Sequence, residues 1–189
     1  MDGAVDRATH GFHTYPARMH PDAAAAIISA CPGHVHDPFC GGGTVLVEAL
    51  LAGRSSTGTD ASPIAVLVSG ARTADKAMAT PMRSAARKIT EAARLRVDVE
   101  VPDVAQRWYQ PHVAQELGRI RDGILAADPA VRPLLSALLS SIIIKTSFRK
   151  SDTQNRRETH HRAPGTTAIL FHKKARELGR WLDAMPDGP

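Results

Sequence analysis

Apolar and polar positions along the chain change period several times, and the changes mark the elements. Pro21 can take the first position of a helix, Asp22 suits its positive end, and Ala23 to Ser29 carry it on until Cys31-Pro32-Gly33 stops it. His34-Val35-His36 is a short lead-in that reads as a strand ending at Asp37. Three consecutive glycines follow, then Val45 to Ala52, an apolar helical run closed by Gly53. Ser55 to Thr59 reads as a second strand, delivering Asp60. Ser62 is a good N-cap and Pro63 a good first residue for a helix over Ile64 to Ala71.

Further on, Pro81 to Arg94 is expected to be a helix with Arg83, Arg87 and Arg94 on a solvated face. Leu95 to Val101 alternates strictly, which predicts a half-buried strand. From Trp108 the pattern is helical, over Pro111 to Asp122 and then from Pro129 or Ala130 to about Phe148. Residues 149–165 are polar, lack periodicity and read as a loop, and Thr167 to Met185 returns to helix. Residues 1–9 read as a loose terminus.

A chain of 189 residues suits one domain with a real core. The formal net charge of +5 is uneven: Lys145 to Arg180 holds ten Lys/Arg against three acids, a net of +7, leaving about −2 for the remainder. That asymmetry directs an anionic partner to the C-terminal part. Cys31 and Cys40 cannot form a disulfide framework and lack metal or redox spacing, and His34, His36 and the His160-His161 pair have no convincing third ligand, so no metal site is expected. The most apolar run, Leu134 to Ile144, is too short and too polar to cross a bilayer, and the first twenty residues hold no apolar signal core. The default expectation is a cytoplasmic protein with no membrane partner.

The chemistry centres on Asp37-Pro38-Phe39-Cys40-Gly41-Gly42-Gly43-Thr44. Strand, glycine turn and helix let a backbone approach a ligand with no Cβ in the way, and aim the free N–H groups of a helix start at it. A phosphate-binding loop needs a lysine before the final Ser/Thr, and none precedes Thr44. A dinucleotide fingerprint needs a third glycine at position 46, where Leu46 stands. S-adenosyl-L-methionine (SAM) carries no phosphate; it needs an acid near its ammonium group, glycines beside its carboxylate and sugar, and an acid on the ribose. Asp37, Gly41 to Gly43 and Asp60, 23 positions on, meet that list.

Asp37 to Thr44 resembles motif I, usually DPFCGSGT, of the SAM-dependent amino-methyltransferases that modify adenine N6 or cytosine N4 in DNA. His13-Thr14-Tyr15-Pro16-Ala17-Arg18-Met19-His20-Pro21 resembles their motif X, and Gly58-Thr59-Asp60-Ala61-Ser62-Pro63-Ile64-Ala65 their motif II. Related RNA guanine methyltransferases share part of the pattern. The resemblance implies an α/β, Rossmann-like methyltransferase fold, here incomplete, over residues 1–103, with a mainly helical and basic segment over 104–189. It implies that Asp37 faces the methionine part of SAM, that the Gly41 to Gly43 backbone passes beneath it, that Tyr15 and Pro16 flank the methionine tail, that Phe39 belongs to the same site, and that Asp60 holds the ribose. Ser62 and Gly42 replace the usual asparagine and serine.

The stretch from Lys145 to Thr153 also resembles a segment of some of these enzymes. With its charge, this marks Lys145, Arg149, Lys150, Arg156 and Arg157 as candidate phosphate contacts for DNA, or for RNA. The family's base-holding motif IV, (D/N/S)PP(Y/F/W), is absent, because none of the 13 prolines is adjacent to another. No catalytic residue is therefore assigned. The expectation is a SAM-binding portion whose catalytic half lies in a second chain, a truncated relic, or a non-catalytic binding module.

Overall fold

The computed structural model describes residues 8–16, 18–95, 97–151, 154–157 and 161–188, the side chains of 150, 151 and 154–157 excepted. Two compact units result, one from Met1–Thr80 with Glu177–Pro189 and the other from Pro81–Arg176.

The first unit starts with α1 (Pro21–Ala30), opened by Pro21 and capped by His20, whose Nδ1 accepts from the Asp22 N–H. Next come β1 (Val35–Asp37), α2 (Thr44–Leu51), β2 (Ser56–Gly58) and α3 (Pro63–Arg72). β1 and β2 pair in parallel, with Val35 opposite Ser56 and Asp37 opposite Gly58, so α2 is the crossover of a β–α–β unit. α1 packs on α2, and α2 touches both strands and α3. Val47 and Ala49 of α2 and Ala65 and Val68 of α3 are fully buried, which fixes the helix faces that turn inward. Gly58 lies so close to α2 and the glycine turn that a Cβ would stand 2.7 Å from Leu46 Cδ1 and 2.9 Å from Cys40 Cβ. As expected, the Ser62 hydroxyl caps α3 by accepting from the Ala65 N–H, and Gly53 (φ 66°) ends the α2 turn in the left-handed region.

A single 3₁₀ turn (Lys76–Met78) leads into α4 (Ala79–Ala93). The second unit continues with α5 (Asp103–Trp108), α6 (Pro111–Leu125), α7 (Arg132–Thr146), β3 (Arg149–Ser151), β4 (Gln154–Arg157) and the start of α8 (Thr166–Asp183), which belongs to the first unit from Glu177 on. α6 packs on α7, and Leu117 and Ile120 of the one helix and Leu135 and Leu138 of the other are nearly or fully buried.

Two expectations are corrected here. The alternating stretch through Val97 to Val101 forms no strand among the described residues. Its backbone groups are taken by side chains of α6: Gln115 bonds both N and O of Val99, Arg119 donates to the Val97 carbonyl, and Arg121 to that of Glu100. Gly118 admits this segment, since a Cβ there would stand 2.7 Å from a Val99 methyl. Alternation predicts a strand only if another strand is there to pair with it. Conversely, the expected loop 149–165 contains the antiparallel pair β3–β4, with Arg149 opposite Arg157 and Ser151 opposite Gln154. Backbone pairing there needs no apolar alternation, so the pattern gave no sign of it.

Candidate functional site

The glycine turn is built from both strand ends of the first unit. Asp37 Oδ1 accepts from the Phe39 N–H at 3.1 Å, which starts the bend as an Asx turn. Thr59 N–H donates to Asp37 O and Cys40 N–H to Thr59 O, both at 2.9 Å, extending the parallel ladder beyond β1 and β2. Gly43 N–H closes the turn on Cys40 O at 2.7 Å. Gly43 sits at φ 81°, and a Cβ there would stand 2.7 Å from Ser69 Cβ and 2.9 Å from its Cα. Glycine is thus required twice, for the backbone angle and for the approach of α3. Gly43 provides no side-chain cap, so the α2 N-terminus carries amide groups without that partner.

Asp60 ties the two strand ends together. Its Oδ2 accepts from Gly41 N–H and its Oδ1 from Ser62 N–H, each at 2.8 Å. These bonds, that from Ser62 first, hold its carboxyl below the ordinary carboxylate range. An ionised carboxylate has about four acceptor positions, so two remain for hydroxyl donors. Cys40 is buried behind the turn, with its thiol 3.6 Å from Ser69 Oγ. Burial is the main cause that pushes this thiol up, against the Ser69 bond, and Asp37 and Asp60 add to it. A thiol so held is a packing residue rather than a nucleophile.

Residues 8–16 form a strap over the turn, anchored by the fully buried Phe12. The Tyr15 ring edge lies 3.4 Å from where a Gly41 Cβ would stand, and Tyr15 Cβ 3.1 Å from the same position at Gly42. Arg72, at the end of α3, is fully buried and clamps the strap: it donates to the carbonyls of His13 (2.8 Å), His10 (3.1 Å) and Gly42. Desolvation, with Arg18 as a second cause, lowers its pKa to about 10, so the guanidinium stays charged at neutral pH. Thr9 Oγ1 donates back to the Arg72 carbonyl, and buried His10 Nε2 meets buried Glu48 Oε1 of α2 at 2.7 Å. Arg72, His10 and Glu48 carry no motif signal of their own, and sequence reasoning passed over them.

Asp37, Gly41, Gly43, Asp60 and Tyr15 therefore come together round one turn. Pro16 is exposed on the strap, and the Phe39 ring is 84% exposed at the rim. In the second unit, exposed Lys145 stands in the last turn of α7, and the Arg149 guanidinium stands 5.8 Å from the Trp108 ring centroid. Lys150, Arg156 and Arg157 lie on β3 and β4 by backbone, with side chains outside the described residues. His34 bonds Ser55 and Thr57 hydroxyls, and His36 the latter. Among the described residues no three His, Cys, Asp or Glu gather to hold a metal, and no helix is long and apolar enough to cross a membrane.

Comparison with known proteins relates the chain to the methyltransferases. Over 71 residues it is 39% identical to the Type II methyltransferase M.MvaI of Kocuria varians. That match takes in 34% of this chain and spans 16% of the length of the relative. No protein-family profile matches, and neither does any solved structure.

Proposed function

We propose that the chain is the SAM-binding portion of a DNA methyltransferase that modifies an exocyclic amino group of adenine or cytosine, on a Rossmann-like fold. The observation that carries the reading is the bond from Gly41 N–H to the Asp60 carboxylate at 2.8 Å. It fastens a side-chain-free turn to an acidic strand end, and no lysine accompanies it for a phosphate. The residues fit SAM: two carboxylates at adjacent strand ends, a bare backbone between them, and an aromatic edge above. The partial match to a methyltransferase supports the same reading.

In this site Asp37 faces the methionine ammonium and Asp60 offers its free acceptor positions to the ribose hydroxyls. Gly41 to Gly43 bring backbone under the ligand, Tyr15 and Pro16 close over the methionine tail, and Phe39 stands at the rim. Bound there, SAM supplies an electrophilic methyl group on a sulfonium sulfur. Amino nitrogens conjugated with a base ring are poor nucleophiles, so enzymes of this kind extrude the base and hold its N–H groups with an acceptor loop. With no adjacent prolines in the sequence, a loop of the Pro-Pro-aromatic type must come from residues outside these 189, such as a second chain. Lys145, Arg149, Lys150, Arg156 and Arg157 would contact the phosphates of the nucleic acid. The same missing motif favours a second reading, a non-catalytic SAM-binding module.

Incubation with methyl-labelled SAM tests the proposal. The chain should retain label that S-adenosylhomocysteine displaces and ATP or NAD does not, and should transfer none to DNA alone. Displacement by ATP or NAD would overturn the ligand assignment, and robust transfer would reveal a base-holding residue within this chain.

A further inference from the structure

The second unit holds a cavity of about 570 Å³. Its walls come from the end of α4, the segment before α5, the first half of α6 and the approach to α8. The size suits a small organic ligand, for which sites run from roughly 300 to 1,000 Å³. Part of the polar lining is committed to the fold. Gln115 spends its amide on both backbone groups of Val99, and Glu116 spends its carboxylate on three N–H groups at the start of α8. Four other side chains keep unspent capacity. Exposed Arg94 and Asp98 make no hydrogen bond or ion pair among the described residues. Arg119 donates through Nε to the Ala93 carbonyl and through Nη1 to that of Val97, which leaves Nη2. His112 Nε2 donates to the Arg162 carbonyl at 2.8 Å, so the neutral ring offers the lone pair of Nδ1. Two guanidinium groups and a carboxylate thus line one cavity, and no ion pair joins them.

A bare anion would be drawn by the arginines and repelled by Asp98, and a simple cation would meet the reverse. A ligand that carries an anionic group together with hydrogen-bond donors satisfies both. We infer that the cavity binds a mononucleotide, with its phosphate on Arg94 and Arg119 and its hydroxyl or amino donors on Asp98 and His112. Two guanidinium groups match the double charge of a phosphomonoester better than the single charge of a diester within a strand. Pro111 and Pro164 also line the cavity and offer apolar rings to the face of a base. The inference stands apart from the SAM reading, because Asp37, Asp60 and Tyr15 take no part in this lining.

Calorimetric titration of the full chain with AMP, GMP, CMP and UMP in turn tests this, beside each nucleoside and inorganic phosphate. At least one nucleotide should bind at a single site, about ten- to a hundredfold more tightly than its nucleoside or phosphate alone, as one or two charge-assisted bonds imply. Arg94→Gln should weaken that nucleotide about tenfold or more and leave its nucleoside unchanged. Arg87→Gln, at an exposed position of the same helix outside the cavity, should change neither. Both side chains are exposed, so a parallel melt should match the wild type. Asp60→Ala should leave nucleotide affinity as it is; a loss there would move the ligand to the glycine turn and overturn the inference. A single-stranded oligonucleotide without a terminal phosphate should not displace the nucleotide, and displacement would overturn the choice of a monoester. No nucleotide binding by the wild type, or equal weakening of nucleotide and nucleoside by Arg94→Gln, would overturn the inference and leave the SAM reading untouched.

Discussion

Asp60 bonds two backbone N–H groups and still has acceptor positions to spare, so it serves the fold and leaves room for the ribose contact proposed above. Its lowered folded pKa means that its contribution to stability is present above the unfolded value near 3.8 and is lost as pH falls through the folded value. Asp60→Asn should therefore melt below the wild type at pH 7, and the gap should close on acidification below about pH 3.8. A gap that persists unchanged in acid would show that the bonds do not depend on the ionised form. Gly43→Ala should cost about 1–2 kcal/mol for the left-handed angle and about 1–3 kcal/mol more for contact with Ser69, seen as a fall of several degrees in melting temperature. Asp37, the glycines and Asp60 were legible because motif spacing is local. Arg72, His10 and Glu48 were not, because their bonds reach 30 to 62 residues along the chain and follow from packing alone.

Helix starts were the most legible elements, since Pro21, Pro63 and Pro111 each open a helix and Ser62 caps one. α5 was missed because six residues offer too little periodicity, and the segment before it was misread because the partner of its backbone is a helix face. α8 has a cap that no local pattern announces. The buried carboxylate of Glu116, on α6, accepts from the N–H groups of Gly165, Thr167 and Ala168 at 2.5, 3.1 and 3.2 Å. Glu116→Ala leaves those donors unpaired and should destabilise the protein by about 1–3 kcal/mol, with hydrogen exchange in the first turn of α8 rising before that of α6. Uniform exchange in both helices would deny Glu116 its capping role.

At the scale of the whole molecule, residues 10–72 carried the functional information and the helical second unit carried little. The β–α–β unit was legible because glycines and acids must recur at fixed spacings to bring a backbone to a ligand. The helices after it bury ordinary apolar faces, which many sequences do. The central claim is that the turn from Asp37 to Thr44, locked by Asp60, binds SAM. Calorimetric titration of SAM into the wild type and Asp60→Ala side by side tests it most directly. One saturable site is expected in the wild type, weakened about ten- to a hundredfold by the substitution. Equal affinity in the two proteins, or no binding by the wild type, would contradict the account.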